Sequence, residues 1–209
     1  VIGSLSVDLI TYAGANKVSK QLITRSSPSF VDILFRELAG QYSQVTDAAS
    51  IAAAVAGTGG TAVLADLGAS ASATFAAFQV GNAAIIAGTR KPADTIWVDP
   101  TRWAELHSLV DTDGRPLLVY GPNGPTNAQG LSSGPAVTAQ YHGWMVRLDV
   151  DAAAGTCLMA NSTTVANLES SPVQLSTVQT STLSTDFGIW GMQNIVIKFA
   201  DGLYTLTLV

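Results

Sequence analysis

The sequence predicts an α+β protein in which one unusually long helix accompanies a set of short strands. Three observations carry that expectation. Phe30, Ile33, Leu34, Leu38, Tyr42, Val45, Ala49, Ala52 and Val55 follow one helical stripe between Pro28 and Gly57. Ile96, Trp97 and Val98 form a short apolar run before Asp99 and Pro100, and Trp103, Leu106 and Val110 then recur near helical spacing. From Trp144 onward the chain breaks into apolar runs separated by Gly, Asp and Asn turns.

Taken in order, residues 1–20 alternate loosely, with Ile2, Leu5, Val7, Leu9 and Tyr12 able to form one or two extended segments. Ser27 and Pro28 open the long helix and Gly57 can end it. Its length is on the order of 40 Å at about 1.5 Å per residue, long for a small globular domain. The alanine-rich half, AASIAAAVAG, has high helix propensity and admits close neighbours. No second helix of comparable length is present to pair with it, which argues against a bundle. Gly57 to Gly60, GTGG, reads as a helix stop and linker, because a phosphate cradle would need a lysine and Thr61 is followed by Ala62. A second helix is expected over 70–87, around Phe75, Phe78, Val80, Ile85 and Ile86. Residues 96–98 read as a buried strand, Asp99 as the cap of the next helix and Pro100 as its first turn; Asp113 and Gly114 then turn the chain. Residues 121–134, GPNGPTNAQGLSSG, are loop. Strands are expected over 144–150, 155–160, 173–175, 188–199 and 203–209, with an Asp201-Gly202 turn joining the last two.

A chain of 209 residues can bury a sizeable core in one domain or two small ones. Charged residues make up 12%, about half the usual fraction of a soluble domain, so other subunits are expected to cover part of the surface. Ten basic against 15 acidic residues give a net charge of −5, and no basic cluster is interleaved with aromatics. Tight binding to nucleic acid through its phosphates is therefore disfavoured. No run of about 18 apolar residues exists to cross a membrane, and VIGSLSVDL lacks the pattern of a signal peptide. The chain does not begin with Met, and a processed or partial gene product is expected.

Candidate chemistry is sparse. Gly130 to Gly134, GLSSG, matches the nucleophile pattern G-x-S-x-G, but that chemistry needs a strand-to-helix turn followed by an acid and then a histidine. Pro135 follows at once, His142 comes with no acid between, and His107 comes earlier, so Ser132 reads as loop. The single cysteine, Cys157 in GTCLMAN, excludes an intramolecular disulfide and reads as a buried small hydrophobe. His107 and His142 lack clustered carboxylates, Asp111 and Asp113 supply too few oxygens for a calcium loop, and the sequon Asn161-Ser162-Thr163 reads as chance. No catalytic residue, metal ligand or cofactor is expected.

The words WVDPTRWAEL and DTDGRPL, in that order behind a long helix preceded by NKVSKQLITRSSP, resemble the tailed-bacteriophage major capsid proteins of the Hong Kong 97 type. GTCLMANSTTVANLESSPVQL and FGIWGMQNIVIKFADGLYTLTLV resemble the strands by which that family leaves its axial domain and closes its peripheral one. The resemblance is one of order and spacing over most of the chain. It implies a Hong Kong 97-like α+β fold: residues 1–60 a peripheral domain with the end of an extended loop and the spine helix, 61–160 a mixed axial domain, and 161–209 return strands of the peripheral domain. It further implies a structural, non-enzymatic subunit that self-assembles into hexamers and pentamers of an icosahedral head. That head encloses double-stranded DNA without reading its sequence, is assembled in the host cytoplasm, and works with scaffold, protease and portal partners and no membrane. The family's N-terminal arm and long loop are not found ahead of the spine, where at most a returning strand lies within 1–16, and no crosslinking residue is carried over. An encapsulin-like nanocompartment is the alternative, and a serine hydrolase using Ser132 ranks last. The resemblance makes subunit contacts the sites to seek: Arg25, Arg36, Glu37, Asp47 and Arg102 as pairing charges, and the 121–134 loop with Asn123 and Asn127 at a capsomer axis.

Overall fold

The computed structural model describes residues 6–26, 29–64, 71–110, 114, 118 and 138–208. In chain order these form β1 (Ile10–Ser19), α1 (Lys20–Arg25), α2 (Ser29–Ala56), β2 (Gly60–Leu64), α3 (Ala71–Thr89), β3 (Thr95–Val98) and α4 (Pro100–Ser108). There follow β4 (Thr138–Tyr141), β5 (Trp144–Leu148), β6 (Thr156–Ala160), β7 (Val165–Glu169), β8 (Val173–Gln179), β9 (Ser184–Ile197) and β10 (Leu203–Leu208). The chain divides into two units, Val1–Ser50 with Asn167–Val196 and Ile51–Ala166 with Ile197–Val209.

The first unit is built on β9. β1 runs antiparallel along one side, from Ile10 opposite Gln193 to Ser19 opposite Ser184. β8 runs antiparallel along the other, from Val173 opposite Trp190 to Gln179 opposite Ser184, and β7 continues that lane. α2 has 28 residues, about 42 Å at 1.5 Å per residue. Its Leu38 and Tyr42 bury against Val18, Phe187 and Ile189, flanked by Phe30, Val31, Leu34 and Phe35. This 3–4 spacing is the signature of a helix laid on one face of a sheet. Phe35 meets Phe187 edge to face at 5.5 Å. Further along, the Gln193 side chain donates to Ser50 Oγ at 2.8 Å and to Asn167 Oδ1 at 3.0 Å. Gly191 passes under Tyr42 so closely that a Cβ there would lie 2.3 Å from the phenol oxygen.

The second unit holds a mixed six-stranded sheet in the order β2-β10-β6-β3-β5-β4. β2 and β10 are parallel, as are β3 and β5, and the other pairs are antiparallel. Phe78 and Ile85 of α3 and Leu106 of α4 close over Ile96, Val98, Val146, Cys157, Met159 and Leu206. Asp99 caps α4 as its side chain accepts from Thr101 N at 3.2 Å, with Pro100 in the first turn. Ala54 and Val55 of α2 pack against Leu158, Ala160 and Leu203. His142 and Gly143, at φ of 47° and 94°, form the two-residue turn between β4 and β5. Both positive angles match the right-handed twist of a tight hairpin.

Several expectations are corrected. Residues 57–60 are not a plain linker: β2 starts at Gly60 and pairs with β10. Gly60 is required there because a Cβ would lie 2.6 Å from the Tyr204 ring. Asp201 and Gly202 do turn the chain between the last two strands, but as part of a 3-10 turn over Ala200–Gly202 that passes it from the four-stranded sheet to the six-stranded one, so the two strands are not paired as a hairpin. Residues 197–209 fall in the second unit, and the first passage between the units lies at Ile51 inside α2. α4 stops at Ser108, where Leu109 N donates back to Leu106 O, and Val110 is 51% exposed. Ile33 is 60% exposed on the outer side of α2, and Val45 is 53% exposed. α1, β4 and β7 lie where no element was expected, and β8 runs on to Gln179.

Two glycines have opposite packing and opposite expected effects. No atom comes within 4 Å of a Cβ built on Gly40, in the exposed middle of α2. Gly40→Ala is expected to raise stability by about 0.5–1 kcal/mol through helix propensity and lower unfolded-state entropy. Gly191→Ala is expected to destabilise, and Tyr42→Phe in the same chain to restore part of the loss by removing the clashing oxygen. Urea unfolding of the single and double variants measures both, and additive effects of Gly191→Ala and Tyr42→Phe would contradict the packing argument.

Candidate functional site

The charges singled out above fall in different environments. Arg25, Arg36, Glu37 and Asp47 are exposed, Arg25 at the end of α1 and the others along α2. Arg102 differs: its side chain is only 17% exposed and forms an ion pair with Glu105, one helical turn on. Among the described residues this is the one ion pair. Asn123 and Asn127, with the rest of the 121–134 loop and Ser132, lie outside the described residues. Arg25, Arg36, Glu37 and Asp47 belong to the first unit and Arg102 to the second.

The other candidates are occupied by architecture. Cys157 is fully buried in β6. Burial, reinforced by the Asp99 carboxylate and opposed by Arg102, pushes its thiol up to about 12. Asn161 is 5% exposed and donates to Pro92 O while accepting from Thr163 N at 3.0 Å. A glycan cannot be attached to a side chain held this way. The His142 ring lies against Phe75 at 4.5 Å and Tyr141 at 4.6 Å, and His107 Nδ1 is 2.8 Å from Trp103 O. Gly59 N donates to Ala200 O and Leu203 O, so the GTGG amides serve the sheet rather than an anion.

Exposed apolar side chains form surfaces that the stripe-seeking reading passed over. On β8, Val173, Leu175 and Val178 are 42%, 53% and 61% exposed. On α3, Val80 and Ile86 stand out among exposed Ala76, Gln79, Ala83 and Ala87. VQLSTVQ carried a signal in sequence, since seven residues of strand propensity hold no charge.

Cys157 supplies a test with a definite pH sign. Its thiol, ordinarily ionising near 9.0, stays protonated to about 12 in the fold, so the folded chain holds a proton the unfolded chain releases. Its contribution is fully present below about pH 9 and declines as pH rises towards about 12. Wild type minus Cys157→Ala stability, measured by urea unfolding from pH 8 to 10.5, is expected to fall over the upper part of that range. Thiol reagents at pH 8 are expected to label the chain only after unfolding; rapid native labelling would contradict the burial.

The fold and sequence have known counterparts. A family model for phage capsid protein matches residues 3–206. No curated protein matches the sequence. A structure described as Gordonia phage Cozz superposes with a TM-score of 0.70 at 15% identity, covering 100% of this chain and 77% of that one. The capsid of an empty GTA particle gives 0.74 at 14% identity, covering 96% and 74%. The SrpI encapsulin complex from Synechococcus elongatus PCC 7942 gives 0.68 at 10% identity, covering 95% and 73%. No helix among the described residues is long and apolar enough to cross a membrane. A family match over nearly the whole chain and a fold shared with capsid structures lead to one conclusion: the chain belongs to the phage capsid protein family, as a major capsid protein of the Hong Kong 97 type and a structural component of the virion capsid.

Proposed function

We propose that this chain self-associates into hexamers and pentamers that close an icosahedral head around double-stranded DNA. The observation that carries the reading is the similarity of fold across 96% or more of the chain to the phage and GTA capsid structures. The charge balance agrees with it: at −5 the subunit repels a polyanion, which suits enclosure and leaves sequence unread. In this reading the first unit is the peripheral domain, with α2 as its spine, and the second is the axial domain. Scaffold, protease and portal partners and assembly in the host cytoplasm belong to the same proposal, as does placement of the 121–134 loop, with Asn123 and Asn127, at the capsomer axis.

A second reading has a specific observation behind it. The encapsulin neighbour shares the fold, so a shell around protein cargo is the alternative. The contents of the particle separate the two. Electron microscopy of particles purified from infected cells is expected to show closed shells, with the packed strands digested by DNase only after the shells are broken. Shells holding a discrete protein and no DNA would favour the compartment, and the absence of any shell would sink both.

Arg36 and Glu37 are proposed as contact charges between subunits, since both are exposed and neither has an ion-pair partner among the described residues. Arg36→Glu and Glu37→Lys are expected to change thermal stability by less than about 0.5 kcal/mol, as surface substitutions do. At least one is expected to lower capsomer yield by gel filtration; full yield from both would remove this pair from the contact.

A further inference from the structure

The chain has three methionines. Met159 is fully buried on β6, and Met192 is partly buried on β9, which is paired on both sides. Met145 on β5 is 38% exposed. Strand register fixes where it stands: Met145 lies beside Thr95 and Gln140, and Arg147 beside Trp97 and Thr138. Since Val146 between them faces the core under α3 and α4, Met145 and Arg147 stand on the other face of the six-stranded sheet. Arg147 is exposed and has no ion-pair partner among the described residues.

Arg147 instead turns back along the strand. Its Nε and Nη2 donate to Met145 Sδ at 3.4 and 3.3 Å. Two nitrogens of one planar fork reach a single sulfur together only from one side. A thioether sulfur has two lone pairs and is a weak acceptor, and here the guanidinium occupies the side of one and leaves the other open. Cys157 does not compete for oxidants, because it is fully buried and its thiol is held protonated.

We propose that Met145 of the unassembled subunit is a site of sulfoxide formation by peroxide, and that Arg147 directs the incoming oxygen to one side of the sulfur, so that a single sulfoxide epimer predominates. The open lone pair of Sδ attacks one oxygen of hydrogen peroxide and the O–O bond breaks. The departing hydroxide takes the proton left on the transferred oxygen and leaves as water. Sulfur loses two electrons and the peroxide gains the same two. Attack through the other lone pair would first have to displace the guanidinium. The product is polar where the thioether was apolar, on a stretch of sheet face where Trp97 lies beside Arg147. Sulfoxides are reversed by reductases that each accept one epimer, so a single epimer means that one class of reductase restores this surface.

The test treats the unassembled full-length gene product with dilute hydrogen peroxide and follows each methionine by peptide mass spectrometry, the epimers at Met145 being resolved by the two epimer-specific reductases. Met145 is expected to oxidise at least about tenfold faster than Met159 and several-fold faster than Met192, with one epimer in excess by about fivefold or more. Arg147→Lys keeps the charge and loses the fork. Its epimers are expected to lie within about twofold of each other, and its Met145 to oxidise about twice as fast, because both lone pairs are then open. Wild type unfolded in urea is expected to give near-equal epimers, which keeps the comparison decisive if the variant misfolds. Near-equal epimers from native wild type, or an undiminished excess in Arg147→Lys, overturn the role of Arg147. Oxidation of Met192 ahead of Met145 overturns the site itself. The capsid reading stands or falls separately from all of these results.

Discussion

β10 is the strand on which the second unit depends. It is paired on both sides, to β2 in parallel and to β6 antiparallel, and its Leu203 and Leu206 are almost wholly buried. Seating it needs bare backbone at three glycines, two of them consecutive. A Cβ on Gly59 would lie 2.7 Å from the Ala200 carbonyl, one on Gly60 2.6 Å from the Tyr204 ring, and one on Gly81 of α3 2.9 Å from Met159 Sδ. These glycines are where strand, turn and helix approach too closely for side chains. Until β10 arrives, β2 has no partner among the described strands and the core under α3 lacks Leu206.

That dependence separates what the residues disclosed from what they did not. α2, β3 and α4 were legible because each is local: an apolar stripe, a short apolar run, and an Asp-Pro start whose cap bond spans two residues. β2 was hidden because its glycines look like punctuation until the Tyr204 ring is seen beside them. The sheet change after β9 was hidden for a related reason, since Asp201-Gly202 is as good a sequence for a 3-10 turn as for a hairpin. The candidate surfaces were the least legible. An exposed Leu175 and a buried one look alike in a sequence, and only cross-strand register shows that Leu175 faces away from α2.

The electrostatics of the subunit follow from how little charge it carries. Among the described residues the single ion pair, Arg102 with Glu105, lies within one helix, so side-chain charge contributes little to holding the fold. Hydrophobic burial and backbone pairing carry that role, and the polar side chains that are buried mostly tie turns. Asn161 joins Pro92 to Thr163, and Asp99 accepts from Thr101 N at the start of α4. A fold held this way loses little when salt changes, and its exposed charges remain available for contacts beyond the subunit.

The chain crosses between its two units three times, and each crossing falls inside regular structure: Ser50 to Ile51 within α2, Ala166 to Asn167 within β7, and Val196 to Ile197 within β9. Modular proteins are jointed through loops, which evolution can cut, lengthen or replace. Here no such joint exists at any crossing, and excising either unit would leave a severed helix and two strands torn from their ladders. Gene shuffling that trades whole modules among relatives is therefore barred at these seams, and variation must enter as insertions in the turns instead.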